Sequence, residues 1–233
     1  GETYNFSMWV KKLGFEGKAE VFFRGARSVL STVAEIELSG NGGEWVKVSC
    51  SVKALETQMG RLVIIFKGSG HIGVDCVSLL PSKVWGDPDK YRNGKLSPRI
   101  VKVLKDCHPS FFRFPGGCVV EGDEIFDNMY KWRNTVGALE ERRQIANTWG
   151  YMQSYGVGFY EYFALCEDLK MTPLPVLHCG LLCQIRVGEQ RGEGYRRIMP
   201  GTKEFKHEVI DNVADLLFFA LGSADSEDEN EAY

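Results

Sequence analysis

The chain has 233 residues, 44% of them hydrophobic and 25% charged, with 28 Lys and Arg against 31 Asp and Glu for a formal net charge of −3. That balance excludes a basic nucleic-acid binder and a surface built for anionic membranes. No apolar run is long enough for a transmembrane helix. Gly1 opens directly into an alternating segment with no basic–apolar–small leader, so the chain is expected to be a piece of something longer or to have lost its beginning in processing.

From the start to about residue 80 the hydrophobic period is two. Tyr4, Phe6, Met8 and Val10 share one face, and Ala19, Val21 and Phe23 share another. Leu30 to Leu38 alternate as well, followed by Val46-Val48-Cys50-Val52, Leu62-Ile64-Phe66 and Ile72-Val74-Cys76. Glycines punctuate these runs at Gly14 to Gly17, Gly25, Gly40-Asn41-Gly42-Gly43, Gly60 and Gly68-Ser69-Gly70. About six short strands with turn chemistry between them predict an antiparallel, jelly-roll-like β-sandwich over residues 1–82.

After Pro81 the pattern changes. Ser97-Pro98 supplies an N-cap residue and a proline at the first helical position, with Ile100, Val101, Val103 and Leu104 as the apolar stripe. Phe111 to Phe114 reads as a short strand stopped by Pro115-Gly116-Gly117, and a long polar, aromatic loop then runs to about Tyr155. Phe159 to Leu169 is a second helix, Pro173 to His178 a second strand, and Glu204 to Leu221 a third helix. This order predicts an α/β arrangement with parallel strands over residues 83–222. The acidic tail, residues 223–233, has no apolar pattern and is expected to be disordered.

The strand–turn segment Phe112 to Cys118 carries the first chemistry. Arg113 sits at a strand's carboxyl end, where parallel α/β architectures assemble their sites. A guanidinium there can bind a carboxylate or sugar hydroxyls, or serve only as a structural arginine beside a tight turn. No Gly-Lys-Ser/Thr follows the glycine pair, so it is not a phosphate loop. Tyr130 to Gly137 and Trp149-Gly150-Tyr151 collect aromatic and polar groups that suit sugar rings as a set, although any one tryptophan is more readily a packing residue.

Glu121 and Glu161 are the carboxylates nearest this region, and glycoside hydrolysis needs a pair in different protonation states. Glu161 lies at a predicted helix start, where structural service is the better expectation. His178 is expected to be a hydrogen-bonded wall residue. Glu140 to Arg143 reads as a solvated or self-paired charge run. The seven cysteines suggest no disulfide framework, and Cys179 and Cys183 beside His178 are better read as buried or loop thiols than as a zinc site.

Taken in order, these segments resemble glycoside hydrolase family 51. Phe112-Arg113-Phe114-Pro115-Gly116-Gly117-Cys118 is similar to the family's RFPGG segment. Tyr130-Lys131-Trp132-Arg133-Asn134-Thr135-Val136-Gly137, Glu141-Arg142, Trp149-Gly150-Tyr151, Gly156 to Tyr162 and Cys166-Glu167-Asp168-Leu169 follow in family order. The front half resembles the carbohydrate-binding-module-like sandwich of many such enzymes. The resemblance implies a retaining α-L-arabinofuranosidase acting on arabinose-containing polysaccharides such as arabinoxylan or arabinan, without cofactor or metal, and with a (β/α)8 TIM barrel that is incomplete here.

The same resemblance makes Arg113 a site arginine beneath the sugar, Trp149 a wall of the substrate site, and Cys118 the occupant of a position where relatives carry a substrate-binding asparagine. Gly116 and Gly117 shape the turn. The family's acid/base glutamate lies in a Gly-Asn-Glu motif that this sequence lacks, so no catalytic residue is assigned. Nucleic acid and membrane are not expected partners, homo-oligomers remain open for full-length relatives, and the substrate class favours an extracellular or periplasmic location. The alternative is a non-catalytic carbohydrate-binding or remnant protein, with Trp9, Trp45 and Trp85 as candidates for a sugar platform or for packing.

Overall fold

Glycines that read as turns in the sequence instead face one another across a strand pair: Gly17 is opposite Gly68, and Gly14 is opposite His71. A Cβ on Gly68 would lie 2.2 Å from the Glu16 carbonyl oxygen, and one on Gly70 would lie 2.1 Å from that of Gly14. Here two backbones approach too closely for any side chain, so two long strands bend together without ending. The computed structural model describes residues 1–38, 43–85, 95–122, 128–147, 149–183 and 197–222. Expectations for Gly40 to Gly42 and for the acidic tail fall outside these residues.

The chain divides into two compact units, residues 1–85 and 86–233. In the first, β1 (Thr3–Arg24), β2 (Ala34–Glu37), β3 (Trp45–Lys53) and β4 (Arg61–Pro81) form one antiparallel sheet. β4 follows β1 along almost its whole length, while β3 pairs with the first part of β1 and β2 with the last. The structure therefore corrects the strand count. Segments expected as separate strands before and after Gly14 to Gly17 are halves of β1, and those flanking Gly68 to Gly70 are halves of β4.

A bulge explains how both halves of β1 face one core. Phe6, Met8 and Val10 point inward at even positions, whereas Phe15, Ala19 and Val21 point inward at odd ones. His71 pairs with both Leu13 and Gly14, and this extra residue on β1 switches the parity. A second register shift between Ser7 and Trp9 does the same for β4, where Ile72 and Leu79 both meet the core. Cys76, expected to share a face with Ile72, is exposed at this irregularity with φ 47°. Val52, Ile36 and Leu38 complete the cluster from β3, β2 and the residue that follows β2.

In the second unit α1 (Pro98–Cys107) leads to β5 (Phe111–Phe114), α2 (Cys118–Glu121), a 3-10 turn (Trp132–Thr135) and the hairpin β6 (Ile145–Ala146) and β7 (Met152–Gln153). Then come α3 (Phe159–Leu169), β8 (Thr172–Pro175), and a helical stretch made of α4 (Lys203–Phe205), a π-helical segment (Lys206–Asp211) and α5 (Asn212–Leu221). β5 and β8 pair in parallel with Arg113 opposite Leu174, the parallel α/β order expected. Phe114 stacks against Phe159, Tyr162 and Phe163 at 5.3, 4.8 and 5.5 Å between ring centroids, tying β5 to α3. Trp132 joins this group to α5 through Phe219 at 5.3 Å.

The apolar stripes predicted for α1 and the last helix are only partly used. Val101 is buried, but Ile100 and Val103 are exposed. Val209 and Leu216 are buried, whereas Ile210, Val213 and Leu217 are exposed. Among the described residues two strands offer too little sheet to cover both faces of the stripes.

Candidate functional site

The turn after β5 is built around Arg113. Its guanidinium lies against Gly116, where a Cβ would stand 2.1 Å from Nη1. Gly116 has φ 83° and Gly117 φ 56°, left-handed values that suit glycine and let the backbone fold under the arginine. Arg113 itself is exposed at the carboxyl end of its strand. Cys118 starts α2 immediately after the glycine pair and is half-buried.

Trp149 lies at the tip of the β6–β7 hairpin and is 49% exposed. Asn147 holds this tip, its side-chain oxygen accepting from the Trp149 amide at 2.9 Å and the Tyr151 amide at 3.4 Å. Its own amide donates to the Tyr151 carbonyl at 3.0 Å. Such an Asx turn fixes the backbone from which the indole projects. Trp132 is used differently, buried with Nε1 donating to the Asn212 carbonyl at 3.1 Å.

Glu161 is committed to structure. It accepts from the Gly158 amide at 2.7 Å, closing the start of α3, and it binds Arg142 through both oxygens. Arg142 also donates to the carbonyls of Gly137 and Tyr155. The expectation of a solvated charge run at Glu140 to Arg143 fails at this residue, because its guanidinium is needed inside to satisfy those acceptors. Thr135 adds a second support, accepting from the Phe159 amide at 3.0 Å and donating to the Trp132 carbonyl at 2.7 Å. The sequence signal available for this cluster was the glutamate three residues after Gly158; nothing marked Arg142 as its partner.

His178 is buried, and its Nδ1 has no hydrogen-bond partner among the described residues, unlike the hydrogen-bonded wall residue expected. Burial, followed by the nearby Lys131 charge, pushes its pKa below the ordinary value. Lys131 in turn binds Glu208 at 2.7 Å. Cys179 and Cys183, expected to be buried or loop thiols rather than a zinc site with His178, are both free thiols. Cys179 is exposed, and Cys183 turns toward Cys118 and Glu121.

Residues 103–232 match the family model described as "Alpha-L-arabinofuranosidase 1 domain". The chain belongs to this family. The resemblance to glycoside hydrolase family 51 arabinofuranosidases is thereby borne out. The chain is 33% identical to the "Extracellular exo-alpha-L-arabinofuranosidase" of Streptomyces chartreusis, over 97% of its own length and 26% of that protein's. It is 30% identical to "Alpha-L-arabinofuranosidase 2" of Arabidopsis thaliana, over 97% of this chain and 31% of the relative. Its fold is that of part of the arabinose-bound MgGH51 α-L-arabinofuranosidase, with a TM-score of 0.74 at 24% identity, covering 97% of this chain and 35% of that one. The 233 residues thus span between a quarter and a third of these curated family members.

Proposed function

We propose that this chain is the part of a retaining α-L-arabinofuranosidase that contributes one wall of the sugar site, while the catalytic carboxylates lie elsewhere in the family's longer polypeptide. The observation that carries this reading is the Arg113–Gly116 contact at the carboxyl end of a parallel strand, inside the segment matched by the family model. Arg113 offers planar donors to sugar hydroxyls, Gly116 and Gly117 keep the turn low beneath them, and Trp149 gives an apolar face for the ring. Cys118 takes the position of a polar contact and makes a poorer hydrogen bond there. In the longer enzyme one glutamate attacks the anomeric carbon, the leaving oxygen is protonated by the second, and water then releases arabinose.

The finer domain reading belongs to the same proposal. Residues 1–82 act as a carbohydrate-binding-module-like sandwich, and 83–222 as early strands and helices of a (β/α)8 barrel. Support comes from the two compact units and from the parallel β5–β8 pair. The substrates are arabinose-containing polysaccharides, met outside the cytoplasm. The Streptomyces chartreusis relative is named an extracellular enzyme, which supports that location for the longer enzyme.

A binding role for the first unit rests on a different observation. Trp45 is 44% exposed on the outer face of the sheet opposite Lys11, and its ring lies over Gly73, where a Cβ would stand 3.3 Å from it. Two assays of the purified 233-residue chain test both readings. Hydrolysis of an aryl α-L-arabinofuranoside is expected to be absent, and turnover abolished by Glu121→Gln or Glu161→Gln would overturn the assignment of catalysis elsewhere. Retardation on arabinoxylan in affinity electrophoresis, lost in Trp45→Ala, is expected if the sheet binds sugar.

A further inference from the structure

Two thiols and a carboxylate converge beside the β5 turn. Cys118 and Glu121 stand three residues apart on the single turn of α2, and therefore on one side of it. Cys183 arrives from the segment after β8, where its amide donates to the Gly122 carbonyl at 3.4 Å. The Cys118 and Cys183 sulfurs and a Glu121 oxygen all lie within 4.8 Å of one another. Cys183 is buried, and the other two are half-buried.

All three groups become anions when they ionise. The hydrogen bond with Cys183 raises the Cys118 thiol above its ordinary range, and burial and then Glu121 push it further in the same direction. A dication at their centre would reverse that preference, since it favours thiolate over thiol. We propose that Cys118, Glu121 and Cys183 form a three-donor site for a soft divalent cation of the zinc type, with a fourth position left to solvent. Sulfurs bound tetrahedrally to zinc at ~2.3 Å stand roughly 3.8 Å apart, so closure from the present spacing needs only small side-chain rotation. Two sulfurs among three donors select Zn2+ or Cd2+ over Mg2+ and Ca2+.

The test is titration of the full, reduced chain with Cd2+, followed by the ultraviolet sulfur-to-metal charge-transfer band and by competition with Zn2+. One saturable equivalent in the micromolar range or tighter is expected. Cys118→Ser and Cys183→Ser should weaken it at least about 100-fold, more than an outer-shell change does, and Glu121→Gln roughly 10-fold. Cys179→Ser should leave it unchanged. Circular dichroism checks folding, and Cys118→Ser and Glu121→Gln alter half-buried positions, so they keep the test decisive should Cys183→Ser misfold. Absence of a saturable band would sink the proposal, as would a band that persists in Cys118→Ser because exposed thiols bind the metal. Thiol counting that finds Cys118 and Cys183 joined as a disulfide, with no metal uptake after reduction, would also overturn it.

Discussion

Arg142 and Glu161 form a two-point ion pair with almost no solvent around it: Nη1 to Oε2 is 3.0 Å, Nη2 to Oε1 is 2.9 Å, and the side chains are 1% and 6% exposed. The pair joins the segment before the β6–β7 hairpin to the first turn of α3. Removing one partner strands a buried charge and several backbone groups. Arg142→Ala or Glu161→Ala should therefore destabilise the second unit by roughly 3–5 kcal/mol, while the double change Arg142→Met with Glu161→Leu should cost less than either. Urea unfolding of the three variants checks this, and a double variant weaker than both singles would refute it.

Alanine at Gly158 and alanine at Gly116 should cost stability to different degrees, and for different reasons. At Gly158 the new Cβ would lie 2.1 Å from the Thr135 carbonyl oxygen, which is backbone and cannot swing aside. A loss of about 2 kcal/mol or more is expected, from overpacking alone. At Gly116 the obstacle is the end of the flexible Arg113 side chain. The loss there should be about 1–2 kcal/mol, from forcing φ 83° on a residue with a Cβ, together with a displaced guanidinium. Thermal unfolding ranks the two variants. A Gly116→Ala protein as unstable as Gly158→Ala would show that the arginine cannot yield.

Alanine at Gly68 tests the bend of the long strands. Its Cβ would lie 2.2 Å from the Glu16 carbonyl oxygen and 2.9 Å from the Phe15 ring. The two strands must part at their middle, so a loss of at least about 2 kcal/mol is expected in the first unit. Hydrogen exchange should report it as faster opening of residues around Glu16 and Lys67, with β5 and α3 unaffected. Equal protection in the variant would mean that the strands can shear past the added methyl.

His178 gives the second unit a pH dependence of definite sign. Its folded pKa is depressed by burial and by Lys131, so the unfolded chain takes up the proton first. Stability from this group is complete above the ordinary histidine value of 6.5 and is lost as pH falls from there through the folded pKa. Glu208 opposes the shift without reversing it. In urea unfolding at pH 8 and at pH 5 the wild-type chain should lose more than His178→Gln does. An equal loss in both proteins would remove His178 as the cause.

Periodicity located the strands and helices because each element has one buried face, and it could do so without knowing the partner. It misjudged the number of strands for a physical reason. A glycine that ends a strand and a glycine that lets two strands touch have the same letter, and only the facing glycine distinguishes them: Gly17 across from Gly68. The turn at Arg113 was legible because the arginine, the proline and both glycines are adjacent in sequence. Arg142 with Glu161, and Cys118 with Cys183, were not legible as pairs, since 19 residues separate the first and, taken alone, Arg142 reads as part of a charge run, Glu161 as a helix-start residue and Cys183 as a buried or loop thiol. The exposed halves of the apolar stripes on α1 and α5 are the remaining mismatch. Their sequence is written for more sheet than β5 and β8 provide.

The pairing of β1 with β4 also governs the order of events during synthesis. Tyr4 is registered with Pro81, and Arg24 with Arg61. Of the four strands of this sheet, the first to be synthesised is therefore completed by the last, and neither β2 nor β3 can cover its other edge for more than part of its length. Closure over so long a loop is slow, and until then the apolar positions of β1 face solvent. The nascent chain has to hold Phe6, Met8 and Val10 in waiting for about seventy residues of further translation, long enough for a chaperone to reach them before β4 does.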